Sequence, residues 1–249
     1  MPRKLSKRTT TLLQNGDSPS TTSHSTTSST SSSSLPTWLT DSLPLPRLIV
    51  LDLDYTLWPF YSDIHISTPI RPAPGSNPTS AVIDRNGESF SLYPEAPHIL
   101  HLLSSLPGGQ IRLAIASKSP VGELCREVLK TLRLPAGMPA GTAGSTMLAG
   151  SEDGGGGAKR GSSSSEKGKK VIEVFDGGLE IYEGTKLRHF EVISRRTGIP
   201  YEQMLFFDDE RPNREVETLG VTMRLIGDGL SWEELEKGIQ QWRRNRGVA

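Results

Sequence analysis

Residues 48–57 of the chain read LIVLDLDYTL, and this stretch decides the fold. Residues 48–51 form an uninterrupted apolar run, which is typical of a strand buried on both faces in a parallel sheet. Asp52 and Asp54 follow at the point where that strand should end. Side chains two positions apart on an extended chain point the same way, so the two carboxylates should face one spot. Like charges that close repel unless a shared proton or a cation offsets the repulsion, and a hard ion such as Mg²⁺ is the simplest solution.

The composition of the chain excludes several classes of protein. Its 249 residues carry 28 basic and 28 acidic side chains, so no net field attracts nucleic acid or a membrane surface. No apolar run approaches the roughly 18 residues of a membrane span. Cys125 is the single cysteine, which rules out an intrachain disulfide and indicates a reducing compartment. We therefore expect no nucleic-acid partner and no membrane partner. We also expect a monomer.

Two low-complexity segments leave one domain. Residues 18–34 are Ser or Thr except at Pro19 and His24, so they lack the apolar surface that offsets the entropy cost of ordering. We predict a disordered Ser/Thr-rich tail at 1–43 and one domain at 44–249. A low-complexity insertion at 135–170 interrupts that domain, and we interpret it as a linker, with a docking segment as the alternative.

The first residues also bear on localisation. Residues 1–16 carry four basic side chains and no acidic one. That composition is compatible with a mitochondrial transit peptide and equally with a plain disordered tail. We expect a cytoplasmic or nuclear protein, with mitochondria as the alternative.

Alternating strand and helix patterns predict the fold class. Apolar runs predict strands at 47–53, 111–116, 204–208 and 221–226, with a weaker one near 171–176. Apolar residues at helical spacing predict helices between them, and a capping box at Ser231 and Glu234 opens the last one. An Asn-Gly turn within 82–90 predicts a β-hairpin. We therefore predict an α/β fold with a Rossmann-like, doubly wound, mainly parallel sheet, a small β-hairpin flap beside the site, and no large cap domain.

Four segments place polar side chains at strand ends or at a helix start. They are Asp52-x-Asp54-x-Thr56, Ser117-Lys118, Gly184-x-Lys186 and Asp208-Asp209. Each alone has an ordinary explanation as a polar turn, a cap or a solvated lysine. Together they lie at the edge where open α/β sheets build their sites. Carboxylates there can hold Mg²⁺, Lys186 and Ser117 can bind phosphate oxygens, one carboxylate can attack phosphorus, and another can act as general acid and base.

These segments resemble the haloacid-dehalogenase superfamily. Within it, LDLDYTLWPF at residues 51–60 is similar to the small eukaryotic magnesium-dependent phosphatase family. The similarity extends to the segments 91–95, 181–186, 189–190 and 206–213. The resemblance implies a Mg²⁺-dependent phosphomonoester hydrolase. Family members act on phosphotyrosine and on phosphorylated sugar adducts such as fructosamine phosphates, so the implied partner is a phosphorylated small molecule or a phosphotyrosine protein.

The resemblance also implies catalytic roles. Asp52 would be the nucleophile and carry an aspartyl-phosphate. Asp54 would protonate the leaving oxygen and later activate water. Lys186 would steady the phosphoryl group and Asp52.

The implied metal site uses the same acidic pairs. Asp52 and the backbone carbonyl of Asp54 would bind Mg²⁺, and Asp209 would complete the site. Asp208 would be either a further ligand or a partner that orients the ligands. Asn213 would support this acidic loop.

Five residues are assigned to the substrate side of the site. Thr56 would help fix the nucleophile loop next to the phosphate, and Ser117 would bind phosphate. Lys118 stands where the family usually has arginine, so a point charge replaces a two-pronged donor at the phosphate. Asp63 and His65 follow the nucleophile loop and could shape the substrate pocket, or they could be an ordinary surface pair.

Two other functions stay open at this point. A protein phosphatase that acts on phosphoserine tails also uses a D-x-D-x-T segment. A non-catalytic adaptor could retain the fold and work through the low-complexity segments instead.

Overall fold

The structure, a computed structural model, describes residues 35–75, 79–135 and 168–248. In chain order its strands are β1 (Leu48–Leu51), β2 (Arg71–Pro72), β3 (Ala81–Ile83), β4 (Ser89–Ser91), β5 (Arg112–Ser117), β6 (Gly178–Ile181), β7 (Met204–Asp208) and β8 (Thr222–Leu225). Its α-helices are α1 (Thr37–Thr40), α2 (Ser62–His65), α3 (Ala96–Ser104), α4 (Gly122–Thr131), α5 (Lys186–Thr197) and α6 (Trp232–Asn245). Short 3₁₀ helices join several of these elements, among them Val171–Val174 and Arg211–Leu219.

Five strands form one parallel sheet in the order β6-β5-β1-β7-β8. The central strand β1 is fully buried on both faces, with Ile49 and Leu51 in one apolar cluster and Leu48 and Val50 in the other. An uninterrupted apolar strand is what a sheet covered by helices on both faces requires. The predicted α/β fold with a doubly wound parallel sheet is confirmed.

The weaker strand predicted near 171–176 is wrong. Residues Val171–Val174 form a 3₁₀ helix, and the edge strand β6 begins later, at Gly178. A Cβ on Gly177 would lie 2.8 Å from the carbonyl oxygen of Leu113, so only glycine lets the chain approach β5 this closely. Gly177 and the neighbouring Gly178 also interrupt the apolar pattern, which is why periodicity misses this strand.

The predicted hairpin is confirmed. Strands β3 and β4 pair antiparallel, and β2 adds a third strand to this small sheet. Asp84 fixes the turn, because its carboxylate accepts hydrogen bonds from the backbone N–H groups of Ser67, Asn86 and Glu88. Among the described residues between β1 and α3, this small sheet and the single turn α2 are the regular elements, so a large cap domain is not present there. The position of the sheet as a flap beside the site stays a prediction.

Residues 35–43 correct the predicted tail. Helix α1 lies in this segment, and its Trp38 is 3% exposed. The guanidinium of Arg243 donates hydrogen bonds of 2.6 and 3.0 Å to the carboxylate of Asp41 and one of 3.0 Å to the carbonyl of Trp38. The segment therefore packs on the domain, and the predicted disordered tail of 1–43 extends too far. Residues 1–34 and residues 136–167 of the predicted insertion lie outside the described residues.

The two ends of the predicted insertion meet. Arg133 and Lys170 form an antiparallel β-bridge, so the chain leaves and rejoins the domain at one place. Across the described ranges, no helix combines the length and apolar character that crossing a membrane demands.

Candidate active site

Neighbouring strands bring polar side chains to one edge of the sheet. Asp52 follows β1, Ser117 ends β5, Asp208 ends β7, and Lys186 begins α5. Since β1 lies between β5 and β7, the carboxyl ends of these strands meet at the point where open α/β sheets place their sites. A cavity of about 180 Å³ lies at this edge, and Asp52, Asp54, Ser117 and Lys186 line it.

The two carboxylates of the first acidic pair are brought together by a turn. The strand ends at Leu51, and Tyr55 adopts a left-handed backbone conformation with φ of 52°. The N–H groups of Thr56 and Leu57 both donate to the carbonyl of Leu53. Asp52 and Asp54 both line the cavity, as predicted, but a tight loop and not an extended strand places them there.

Lys186 is buried among carboxylates at the base of the cavity and is 1% exposed. Its Nζ donates to Asp52 Oδ1 at 2.7 Å and to the carbonyl of Ala116 at 2.6 Å, and it lies 2.9 Å from Asp208 Oδ2. The helix begins at this lysine because the Thr185 side chain accepts a hydrogen bond from the backbone N–H three residues on. Burying the ammonium group is tolerated because charged and polar partners surround it.

Burial and crowding shift the pKa values of these groups. Burial raises the pKa of Asp52 from 3.8 to about 7, and the charge of Asp208 adds to this against the opposing effect of Lys186. Burial, followed by the charge of Asp208, raises the pKa of Asp209 to about 6. Burial also acts to lower the pKa of Lys186, but the charges of Asp52 and Asp208 outweigh it and the pKa is raised. Burial therefore raises the pKa values of the two carboxyl groups, neighbouring negative charge raises those of all three groups, and an added positive charge would favour the ionised carboxylates.

The donor set fits a hard divalent cation. Carboxylate oxygens of Asp52, Asp208 and Asp209 lie within 4.8 Å of one another. Such an all-oxygen arrangement is what Mg²⁺ prefers, and the ion would supply that positive charge. The residues present therefore fit this ion.

The two acids of the second pair differ in environment. Asp208 is fully buried, and its oxygens accept hydrogen bonds from the Asn213 side-chain amide at 2.9 Å and from the backbone N–H of Glu210 at 2.7 Å, in addition to the contact with Lys186. Asp209 is partly exposed and lines the cavity, whereas Asp208 does not. This geometry favours Asp209 as the direct ligand and Asp208 as the group that anchors Lys186 and Asn213.

Asp54 has a separate set of partners. Its Oδ1 accepts a hydrogen bond of 2.7 Å from the indole N–H of Trp58, and its Oδ2 accepts one of 3.2 Å from the hydroxyl of Ser62. Burial raises the pKa of Asp54, while these hydrogen bonds act against the rise. A carboxyl that holds its proton more strongly than usual, beside a nucleophile candidate, is suited to general acid catalysis.

The structure brings most of the predicted substrate-side residues to the cavity. Ser117, Lys118 and Asp63 line it. Lys118 Nζ lies 3.9 Å from a Glu210 carboxylate oxygen at a partly exposed position, a loose pair that leaves the lysine able to reach a ligand. Asn213 also lines the cavity and bonds to Asp208 as described above.

Two of the five residues assigned to the substrate side do not line the cavity. Thr56 is fully buried, and its backbone carbonyl accepts a hydrogen bond from the N–H of Leu230, so it helps to hold the loop. His65 is exposed, and its ring stacks on that of Tyr61. Their placement does not support a direct contact of either side chain with phosphate.

Sequence reasoning missed several residues of the site. Trp58 and Ser62 hold Asp54, and Tyr61 and Glu210 line the cavity. Trp58 stood out only as part of the motif at 51–60, with no sign of its hydrogen bond. Ser62 gave no signal, because a single serine is as common outside a site as within one.

The comparison with known proteins follows this geometry. The model of a family described as Acid Phosphatase matches residues 44–245. Over 202 residues the chain is 34% identical to magnesium-dependent phosphatase 1 of Homo sapiens, covering 79% of this chain and 86% of that protein. The chain belongs to the acid phosphatase family. The chain is also 30% identical over 184 residues to a HAD-like hydrolase superfamily protein of Schizosaccharomyces pombe, covering 74% of this chain and 87% of that one.

Family membership bears directly on the sequence predictions. The resemblance to the haloacid-dehalogenase superfamily and to its magnesium-dependent phosphatases is confirmed. The matched region, residues 44–245, contains every candidate residue of the cavity.

Proposed function

We propose that this protein is a Mg²⁺-dependent phosphomonoester hydrolase that works through an aspartyl-phosphate on Asp52. The observation that carries the proposal is the buried Lys186, held between Asp52 and Asp208 at the base of a cavity that Asp54 and Ser117 also line. A lysine fixed in this way can neutralise phosphoryl charge and keep the nucleophile oriented, which is how most phosphoryl transfer is promoted.

The chain's own residues account for both chemical steps. In the first, an oxygen of Asp52 forms a bond to phosphorus, the ester P–O bond breaks, and Asp54 gives its proton to the leaving oxygen. In the second, Asp54 takes a proton from a water molecule as that water attacks phosphorus. The bond to Asp52 then breaks, inorganic phosphate leaves, and Asp54 is again protonated.

The metal would be held by Asp52 and Asp209, together with the backbone carbonyl of Asp54. Mg²⁺ bound there supplies positive charge to the phosphoryl oxygens. Ser117 is placed to donate its hydroxyl to one of those oxygens, and Asp208 keeps Lys186 directed at the same point.

The substrate class is phosphotyrosine or a phosphorylated sugar or sugar adduct. The cavity is small, about 180 Å³, and the partly exposed ring of Tyr61 lines it. It can therefore accept a phosphoryl group with part of its leaving group, while the remainder lies outside. Localisation in cytoplasm or nucleus stays a prediction.

A substrate panel tests the proposal. Phosphotyrosine, phosphoserine and sugar phosphates would be offered to the purified full chain, with millimolar Mg²⁺ or with EDTA. We expect Mg²⁺-dependent release of phosphate from the first or third class. Hydrolysis of phosphoserine alone would favour the phosphoserine-type protein phosphatase, and release from none of them with Mg²⁺ present would leave the non-catalytic adaptor.

Substituting Asp54→Asn should slow phosphate release by roughly 10²–10⁴-fold, the usual scale of general acid–base catalysis. The asparagine loses the transferable proton but keeps the backbone carbonyl, and its amide oxygen can still accept from Trp58. The Mg²⁺ concentration for half-maximal activity should therefore stay unchanged. Steady-state kinetics across a Mg²⁺ titration measure both quantities, and a variant with normal turnover would exclude Asp54 as the acid.

The two acids of the second pair should fail in different ways. Asp209→Asn should raise the Mg²⁺ concentration needed for half-maximal activity and leave stability without metal unchanged or higher, because it removes like charge. Asp208→Asn should lower the free energy of unfolding by roughly 1.5–3 kcal/mol, the scale for hydrogen bonds to a charged group. Urea unfolding in EDTA and a Mg²⁺ titration separate the two. The reverse pattern would show that Asp208 is the ligand.

A further inference from the structure

The proposed acid Asp54 is held by a chain of buried hydroxyl groups. Ser62 Oγ lies 3.2 Å from Asp54 Oδ2, and Ser119 Oγ lies 2.8 Å from Ser62 Oγ. The thiol of Cys125 lies 3.3 Å from the first hydroxyl and 3.5 Å from the second. Ser62 and Cys125 are 0% exposed, and Ser119, which also lines the cavity, is 5% exposed, so these three side chains are buried.

The direction of the hydrogen bonds in this chain follows from its ends. An ionised carboxylate can only accept, so the Ser62 hydroxyl donates to Asp54. Ser62 Oγ must then accept from its other neighbours, and the Ser119 hydroxyl is the donor at 2.8 Å. Ser119 Oγ in turn accepts from the backbone N–H of Val121, and the single thiol hydrogen of Cys125 is within reach of either hydroxyl oxygen. Each group in the chain therefore has a partner.

The hydrogen-bonded side chains of Ser62, Ser119 and Cys125 differ in one respect from the indole of Trp58, the other contact of Asp54. The indole N–H of Trp58 is a donor only, whereas hydroxyl and thiol groups can donate or accept. Because their hydrogens can reorient, Ser62, Ser119 and Cys125 can satisfy the carboxyl group both when it carries a proton and when it does not. A general acid that becomes a general base within one turnover needs such a support.

The same hydrogen-bonded side chains also connect Asp54 with Ser117 on the other side of the cavity. The backbone N–H of Ser119 donates to Ser117 Oγ at 3.3 Å, so the support of Asp54 connects to the hydroxyl proposed to bind phosphate. Ser62 begins helix α2, and Ser119 lies in the loop before α4. The orientation of Asp54 toward the leaving oxygen therefore depends on the relative position of these two segments.

We propose that Ser62, backed by Ser119, is a positioning residue that directs the Asp54 proton at the leaving group. The inference rests on the proposed function and assigns to it residues that neither motif nor spacing revealed. If it is correct, loss of the Ser62 hydroxyl should lower kcat/KM most for substrates whose leaving group must be protonated as it departs.

The test compares two substrates in Ser62→Ala with Mg²⁺ present. Phosphotyrosine releases a phenol of pKa about 10, which needs protonation, while p-nitrophenyl phosphate releases a far more acidic phenol. We expect kcat/KM to fall about tenfold or more for phosphotyrosine and less than about threefold for p-nitrophenyl phosphate, because only the first depends strongly on the acid. Ser194→Ala is the matched control. Ser194 lies in helix α5, and the substitution removes a hydroxyl that donates to the carbonyl of Ile199 outside the cavity.

Ser119→Ala provides a second variant should Ser62→Ala fail to fold. It keeps the bond between Ser62 and Asp54, so the same dependence on leaving group is expected with a smaller loss. Equal losses on both substrates, or no loss, in the folded variant would overturn the inference and indicate a merely structural contact. A wild-type chain inactive on both substrates would overturn the proposed function first, and this inference with it.

Discussion

Asp52→Asn should abolish phosphate release, with a fall in kcat/KM of at least about 10⁴-fold, and should leave no phosphorylated protein. An amide is not a nucleophile toward phosphorus, and it contributes less to a metal site than a carboxylate. Its oxygen can still accept from Lys186, so the fold should survive. Rapid acid quenching with a radiolabelled phosphomonoester would reveal the covalent intermediate in the wild type and its loss in the variant.

A phosphate mimic can locate the position of the phosphoryl group in the site. The phosphate mimic BeF₃⁻ should bind at Asp52 in the wild type when Mg²⁺ is present, and not in Asp52→Asn. Asp176→Asn is a suitable control, because Asp176 is an exposed carboxylate outside the cavity that pairs with Arg112. Near-normal turnover of Asp52→Asn, or trapped phosphate on Asp54 or Asp208, would show that the roles proposed above are wrong.

Lys186→Met should produce the largest loss of stability among the site variants. The substitution keeps most of the side-chain volume but leaves Asp52 and Asp208 buried without their cation. Removing one partner of a buried charge pair costs roughly 3–5 kcal/mol. Activity should fall as well, because the group that neutralises phosphoryl charge is lost. Urea unfolding in EDTA measures the first effect and steady-state kinetics the second.

The stability loss of Lys186→Met should depend on pH and on metal. Lys186 acts to lower the pKa of Asp52, so without the lysine that pKa in the folded state rises further above its unfolded value of about 3.9. Folded-state carboxyls that bind protons more tightly than unfolded ones make the variant lose stability as pH rises through that interval. The deficit should therefore be smaller at pH 5 than at pH 8, and Mg²⁺ should reduce it at pH 8. Lys130→Met, at an exposed position in α4, should show no deficit at either pH. A deficit independent of both pH and Mg²⁺ would mean that Lys186 stabilises only by packing.

Much of the site could be predicted because the topology of a parallel sheet brings the residues that follow its strands to one edge. Once residues 48–51 and 204–208 are recognised as buried parallel strands, the acids that follow them must share the same sheet edge. Lys186 was predictable for a related reason, since it begins a helix that returns from that edge. The edge strand β6 was not, because its entry depends on the close approach of Gly177 to Leu113, which leaves no apolar signature.

The sequence by itself determined the fold class and showed which acidic pairs and which lysine lie at one edge of the sheet. A buried strand is visible in the sequence as a run of apolar residues, and the polar residues that follow it are its neighbours in the chain. The tertiary structure alone decided how those groups are held. It buried Asp208 under Lys186 and Asn213 while leaving Asp209 at the cavity, and it placed Ser62 and Trp58 on the two oxygens of Asp54. It also brought Arg243 onto Asp41, 202 positions earlier in the chain. Burial and hydrogen bonding between distant segments set these outcomes, and neither is encoded in the spacing of neighbouring residues.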